Sequence, residues 1–173
     1  AGEVSSKLYV GTTVDTNDEL AEKRFKKFLN EIYPVLMMNE DMLKRKLIAS
    51  EVNVPELEIP MRNIRADVEL FREENLSLFS EEGELSMEYD KVIGSQTINW
   101  DGEEITLPQI QLTLKETDRD RREQIWRFAE ERRLQDKDAL NAMWRKYMGI
   151  RKQMTANAGT KDYRAFQWQL KHR

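Results

Sequence analysis

Cysteine is absent from the 173 residues and histidine occurs once, as His172, so the side chains behind most metal and thiol chemistry are missing or stand at the chain's edge. Without cysteine there is no disulfide, no thiol nucleophile and no thiolate ligation of zinc or iron–sulfur clusters. A single imidazole cannot build a His-based zinc centre, and a Ser-His-Asp triad would have to recruit the penultimate residue. Glycine, at 7, and proline, at 4, leave little punctuation for a many-stranded sheet and favour long elements instead. No run approaches the roughly 18 apolar residues of a membrane span, and the N-terminal stretch lacks the basic-then-apolar pattern of a secretory signal. These absences lead us to expect a soluble protein in a reducing, cytoplasmic setting, with no membrane association and no catalytic or metal site of its own.

What is present is charge and apolar periodicity. Charged residues make up 35% of the chain, above the roughly 25% of an average globular protein, while 39% hydrophobic residues suffice for a core. The net charge of −4 is the balance of two unlike parts. Residues Arg119 to Arg173 carry 15 Lys/Arg against 7 Asp/Glu, net +8, and the remainder is net −12. The basic third is interleaved with Glu130, Glu131, Asp136 and Asp138 and bears no nucleic-acid module signature, so solvated helix faces docked on acidic protein surface are expected, and no nucleic acid.

The pattern along the chain is mainly α, a multi-helix array with one small antiparallel β-hairpin, in a single domain over residues 1–173. Residues 1–14 read as an irregular leader, 15–93 as helices, 96–107 as the hairpin and 109–173 as helices again. Asp15 to Asp18 offer N-cap residues before Leu20, Phe25, Phe28, Leu29 and Ile32 recur at helical spacing. Pro34 suits the first turn of a second helix whose Met37, Met38 and Met42 are expected to be adaptable core filler. The prolines between Glu51 and Pro60 mark a connector, and a third helix is expected from Met61 through Leu78. Around Gly83 two short helices are expected, with an extended stretch after Ile93.

Asp101-Gly102, set between two alternating runs, is a two-residue hairpin signature because both turn positions must tolerate positive φ. Counting outward from the turn pairs Trp100 with Glu103, Ile98 with Ile105 and Thr97 with Thr106. That register puts Ile98, Trp100, Ile105 and Leu107 on one face. Asp118 caps a long helical region with a break between Gln135 and Asp138, and Asn157-Ala158-Gly159 stops it. A last helix carries Tyr163, Phe166, Trp168 and Leu170 and is expected to run off the end of the sequence. Trp126, Trp144 and Trp168 lie on apolar sides of helices and are expected in the core.

A search for chemistry finds sequential acidic pairs (Glu73-Glu74, Glu81-Glu82, Glu103-Glu104), which do not share a helix face as a catalytic dyad must. No Gly-rich phosphate loop, nucleophile elbow, EF-hand loop or Glu-x-x-His di-metal pair occurs.

Several stretches, in order, nevertheless resemble a known family. They are Phe71-Arg72-Glu73-Glu74-Asn75-Leu76-Ser77-Leu78-Phe79, Leu85-Ser86-Met87-Glu88-Tyr89-Asp90, Gln96 to Leu107 with its Trp-Asp-Gly-Glu turn, Glu116 to Arg122, and Asn157-Ala158-Gly159-Thr160-Lys161-Asp162-Tyr163-Arg164. Together they resemble the oligoendopeptidase F branch of the thimet-oligopeptidase-like zinc metallopeptidases, over roughly Glu58 to Arg173. The resemblance implies an N-terminal helical portion that forms one wall of a deep channel enclosing short peptides. The family's His-Glu-x-x-His zinc helix has no counterpart here, so no catalytic or metal residue carries over. The implied parent holds one zinc ion; this chain is expected to hold no cofactor and to be inactive alone. Its expected partners are the catalytic remainder of the same polypeptide, short peptides in the intact enzyme and, for the isolated piece, a second copy through self-association. Tyr163, Arg164 and Trp168 are the residues expected to face the channel. The alternatives are a stand-alone helical interaction module and a catalytically dead regulator on the same scaffold.

Overall fold

The computed structural model describes residues 2–51 and 54–173. Eight α-helices and one two-stranded sheet occur among them: α1 Gly2–Val14, α2 Glu19–Lys27, α3 Tyr33–Ala49, α4 Glu58–Leu70, α5 Glu74–Gly94, β1 Thr97–Trp100, β2 Glu103–Thr106, α6 Arg119–Gln135, α7 Lys137–Ala158 and α8 Tyr163–Leu170. The mainly α architecture and the single hairpin match the expectation from sequence. Helix α5 is central, packing against α7, α3, α2 and α1, while α4 lies between α3 and α8.

The expected irregular leader is instead α1. Its Ser, Thr, Val and Gly residues are indifferent helix formers and show no apolar stripe, so only tertiary contact reveals it. Tyr9 supplies that contact: its ring lies 5.8 Å from Phe25, and its hydroxyl donates to Asp90 on α5 at 3.3 Å.

Asp18 caps α2 as expected, accepting from the amides of Leu20 and Ala21 at 2.9 and 3.0 Å. Between α2 and α3 the helix widens into a π-turn over Phe28–Ile32, and Pro34 enters the first turn of α3. The Leu29 carbonyl within this wide turn accepts the Ser80 hydroxyl at 2.5 Å. Of the connector expected between Glu51 and Pro60, Val52 and Asn53 lie outside the described residues; Pro55–Leu57 form a 3₁₀ turn and α4 begins at Glu58.

The third helix does not run from Met61 to Leu78. Phe71 is extended, with ψ 129°, and the chain restarts as α5. Apolar spacing continues across this break, which hides it from periodicity. Arg72 causes it to be favourable: its guanidinium donates to the carbonyls of Glu69 (2.9 Å) and Phe71 (2.7 Å), and to Asn157 (3.0 Å) at the end of α7. One side chain thereby satisfies carbonyls that two helix ends leave without partners. Further on, Gly83 does not divide α5 into short helices; the helix continues through it to Gly94.

The hairpin register is the expected one, Thr97↔Thr106, Ile98↔Ile105, Asn99↔Glu104 and Trp100↔Glu103. Asp101 and Gly102 take φ of 53° and 87°, the paired positive values of a tight primed turn. Ile98, Trp100, Leu107 and Ile110 rest on Ile125 and Ala129 of α6. The α6–α7 break is pinned to the base of the hairpin, where Asp136 accepts from Gln96 at 2.8 Å and Arg132 at 2.6 Å. Those two hydrogen bonds, from Gln96 and then Arg132, hold the Asp136 carboxyl below its usual range.

Helix α8 does not run off the end of the sequence. It stops at Leu170 in a closed turn, the amides of His172 and Arg173 bonding to the carbonyls of Gln169 and Trp168 at 2.9 Å each, with His172 at φ 56°. This is the paired pattern that satisfies a helix's last carbonyls, with histidine where glycine is usual.

The interior consists of four small clusters rather than one. The accessible surface is 12088 Å², against about 8,900 Å² for a compact monomer of this length. Large apolar side chains share in the exposure: Trp126, Trp144 and Trp168, expected in the core, are each more than half exposed. The Met-rich stripe departs from expectation in the same way, since Met38 and Met42 face outward on α3, a helix with no buried residue.

Candidate functional site

A cavity of about 280 Å³ lies among α3, α4, α5 and α8. Its walls are apolar, from Met37, Leu70, Phe71, Phe79, Phe166 and Leu170, and one side carries Glu40, Asp41, Lys44 and Asp67. A concave apolar space with a few convergent polar groups is the form that small-ligand sites take. Lys44 Nζ donates to Glu40 Oε1 at 2.7 Å and to Asp67 Oδ2 at 2.8 Å, while His172 Nε2 lies 2.6 Å from Asp67 Oδ1. Burial works against ionisation of Asp67, but hydrogen bonds from Lys44 and His172 outweigh it and hold the carboxyl below its ordinary range. Burial likewise works against the Lys44 ammonium, and the bonds to Asp67 and Glu40 reverse the balance and raise it. Burial first, and then the Glu40 charge, push the Tyr33 phenol upward at the cavity wall.

A second cluster joins α5, α7 and α8. The Arg151 guanidinium sits 4.8 Å from the Tyr147 ring and 4.9 Å from the Tyr163 ring, and its Nε donates to Glu82 at 2.7 Å. Stacking on two ring faces fixes the plane of the fork, an arrangement lysine cannot reproduce. Tyr147 and Ser86 share a hydroxyl hydrogen bond of 2.8 Å, and Gln167 donates to the Tyr163 hydroxyl at 2.8 Å. Burial, with Glu82 adding to it, raises the Tyr163 phenol, so it stays neutral near pH 7.

The structure separates the three residues expected on a channel wall. Tyr163 is half-buried, stacked on Phe166 at 6.0 Å and under Arg151, whereas Arg164 and Trp168 stand one turn apart on the exposed side of α8. Asp67, Lys44, Arg72 and Arg151 were not singled out by sequence reasoning. Glu40/Lys44 and Asp41/Arg45 at four-residue spacing are visible on α3, but the partners Asp67 and Glu82 come from other helices and carry no local signal. Two of the resembling stretches do converge: Arg72 and Asn75 meet Asn157 and Ala158 at the junction of α4, α5, α7 and α8. Among the described residues no group of three or more His, Asp or Glu is placed to hold a metal ion.

The fold is that of a helical portion of a peptidase structure. It superposes on a protein designated oligoendopeptidase F from Bacillus anthracis strain Ames with a TM-score of 0.88, at 21% identity, over 99% of this chain and 32% of that one. A second structure designated oligoendopeptidase F matches at 0.86 and 21% over 95% of this chain and 30% of its own. PZ peptidase A, solved with an inhibitor, matches at 0.85 and 22% over 96% and 30%. No family model matches the sequence, and no curated protein does. The resemblance read from the sequence therefore holds for the fold, and the chain spans about a third of the length of the solved structures it matches.

Proposed function

We propose that this chain is the helical, channel-wall portion of a zinc-dependent oligopeptidase that hydrolyses short peptides, and that it has no catalysis of its own. The observation that carries this reading is the superposition of nearly the whole chain on about a third of each oligoendopeptidase structure, and the surface of 12088 Å² with its outward-facing tryptophans supports its being one lobe of a larger polypeptide. That total exceeds the roughly 8,900 Å² of a compact monomer of this length, as a lobe awaiting the rest of its polypeptide does. Among the described residues the donor set does not fit zinc; in this proposal the metal is held by a catalytic remainder carrying the His-Glu-x-x-His helix. No described helix is long and apolar enough to cross a membrane.

Tyr163, Arg164 and Trp168 are the proposed channel-facing residues, Tyr163 by orienting α8 and the other two by reaching peptide. In the full-length enzyme, Trp168→Ala should raise KM for short peptides with little change in stability.

The reading is tested by the gene and by the isolated chain together. An open frame past Arg173 encoding His-Glu-x-x-His, with an isolated chain that self-associates and neither binds stoichiometric zinc nor cleaves a quenched-fluorescent peptide, is the expected result. A stop codon after Arg173 together with a monodisperse monomer in light scattering overturns it in favour of a stand-alone interaction module.

A further inference from the structure

We infer that the cavity among α3, α4, α5 and α8 is a binding site for a small, uncharged aromatic molecule of two fused rings. The inference is independent of the peptidase reading, because it rests only on the size, lining and charge balance of the cavity.

The ligand's lack of charge follows from how the polar wall is already engaged. Lys44 is bound between Glu40 and Asp67, and His172 takes the second oxygen of Asp67. Asp41 is held by Arg45 through Oδ2 at 2.6 Å. Arg72 directs its guanidinium into the carbonyls of Glu69, Phe71 and Asn157. The carboxylates of Glu40, Asp41 and Asp67 are thus balanced in number by Lys44, Arg45 and Arg72, and each of these groups is spent on the protein itself. A charged ligand entering here gives up its hydration without gaining a partner, a cost that a neutral one avoids.

The rest of the lining sets size and shape. Leu70, Leu76 and Phe166 are buried, and the Phe79 and Phe166 rings are stacked with centroids 6.5 Å apart. This part of the wall offers water none of the roughly two to four polar partners it needs. An apolar cavity of about 150 Å³ stays dry and takes up benzene. At about 280 Å³ the present one has nearly twice that room, enough for a bicyclic ring lying offset or edge-on against Phe79 and Phe166. Glu40 and Leu170 are the exposed members of the wall and form the rim past which a ligand enters.

The test titrates indole and three of its derivatives into the 173-residue chain at pH 7, followed by amide chemical shifts. Tryptophol, tryptamine and indole-3-acetate carry the same ring with a hydroxyl, an ammonium and a carboxylate. Indole and tryptophol should each bind about tenfold tighter than either charged compound, with shifts that map to Leu70, Leu76, Phe79 and Phe166. Met37→Trp, on a helix with no buried residue, should fill the cavity and abolish indole binding while the fold persists. Lys44→Met removes the cation shared by Glu40 and Asp67 and should move tryptamine ahead of tryptophol. Equal affinity for all four compounds, preference for a charged one, shifts elsewhere, no binding at millimolar indole, or undiminished binding by a folded Met37→Trp each overturn the assignment. So does an unchanged order of affinities in Lys44→Met, since the charge balance of the wall is what excludes the ammonium.

Discussion

Asn75 at the start of α5 and Asn157 at the end of α7 are joined side chain to side chain, Asn157 Nδ2 donating to Asn75 Oδ1 at 2.7 Å. Asn75 Nδ2 in turn donates to the Met154 carbonyl at 3.1 Å, and the residue is 1% exposed. A fully buried amide with both ends satisfied specifies how two helices meet, because any other docking leaves donor and acceptor unpaired. Replacing it leaves the Asn157 side-chain amide without its acceptor and removes a donor from the Met154 carbonyl. Asn75→Ala should therefore cost about 2–3 kcal/mol in urea unfolding; a loss under about 0.5 kcal/mol would mean that water serves this junction equally well.

Gly83 lies in the middle of α5 because the π-turn presses against it. A methyl group there would stand 2.8 Å from the Leu29 Cδ1, itself buried against Phe28 and Met87. Gly149 in α7 meets nothing within 4 Å. The two alanine substitutions should part company. Gly149→Ala should gain up to about 1 kcal/mol from helix propensity, while Gly83→Ala should lose that gain to overpacking, for a net cost of about 1 kcal/mol. Thermal denaturation of the pair checks this, and an equal rise in Tm for both would remove the steric account.

How far the sequence discloses the fold depends on whether a signal is local. The hairpin is legible to the residue because Asp101-Gly102 fixes the turn and a period of two fixes everything outward from it. The caps at Asp18 and Asp118 are equally local. Helix α1 and the break at Phe71 are not, since the first depends on Phe25 and Asp90 and the second on carbonyls that Arg72 reaches across 85 residues. The outward tryptophans fail for a different reason: periodicity shows that a helix side is apolar, but not whether this chain supplies what covers it. For the candidate site, the α3 charges are visible at four-residue spacing, while the cavity they border needs α4, α5 and α8 in place.

The Asp67 carboxylate should give the fold part of its acid sensitivity. Its folded pKa lies below the unfolded value of about 3.9. The stabilisation it provides is thus fully present above that value and is lost as pH falls through the lower, folded one. Asp67→Asn should be less stable than the parent at pH 6, with the gap closing below about pH 4. Unfolding midpoints across pH 2.5 to 7 test this, and a gap that is constant with pH would point to packing rather than ionisation.

Ile125 and Trp126 are neighbours in sequence and opposites in environment. Ile125 is fully buried beneath Ile98, Trp100 and Ile110, whereas Trp126 is 51% exposed. Ile125→Ala removes methylenes from a packed cluster and should cost about 3 kcal/mol, with faster amide exchange across the hairpin. Trp126→Ala, although it deletes the larger side chain, should change the stability of a dilute sample by less than about 0.5 kcal/mol. At higher concentration the order of importance should reverse: if exposed tryptophans drive self-association, Trp126→Ala lowers the apparent mass in light scattering and Ile125→Ala does so only by unfolding. A Trp126→Ala chain that is as destabilised as Ile125→Ala when dilute would mean that the indole is already covered within one copy of the chain.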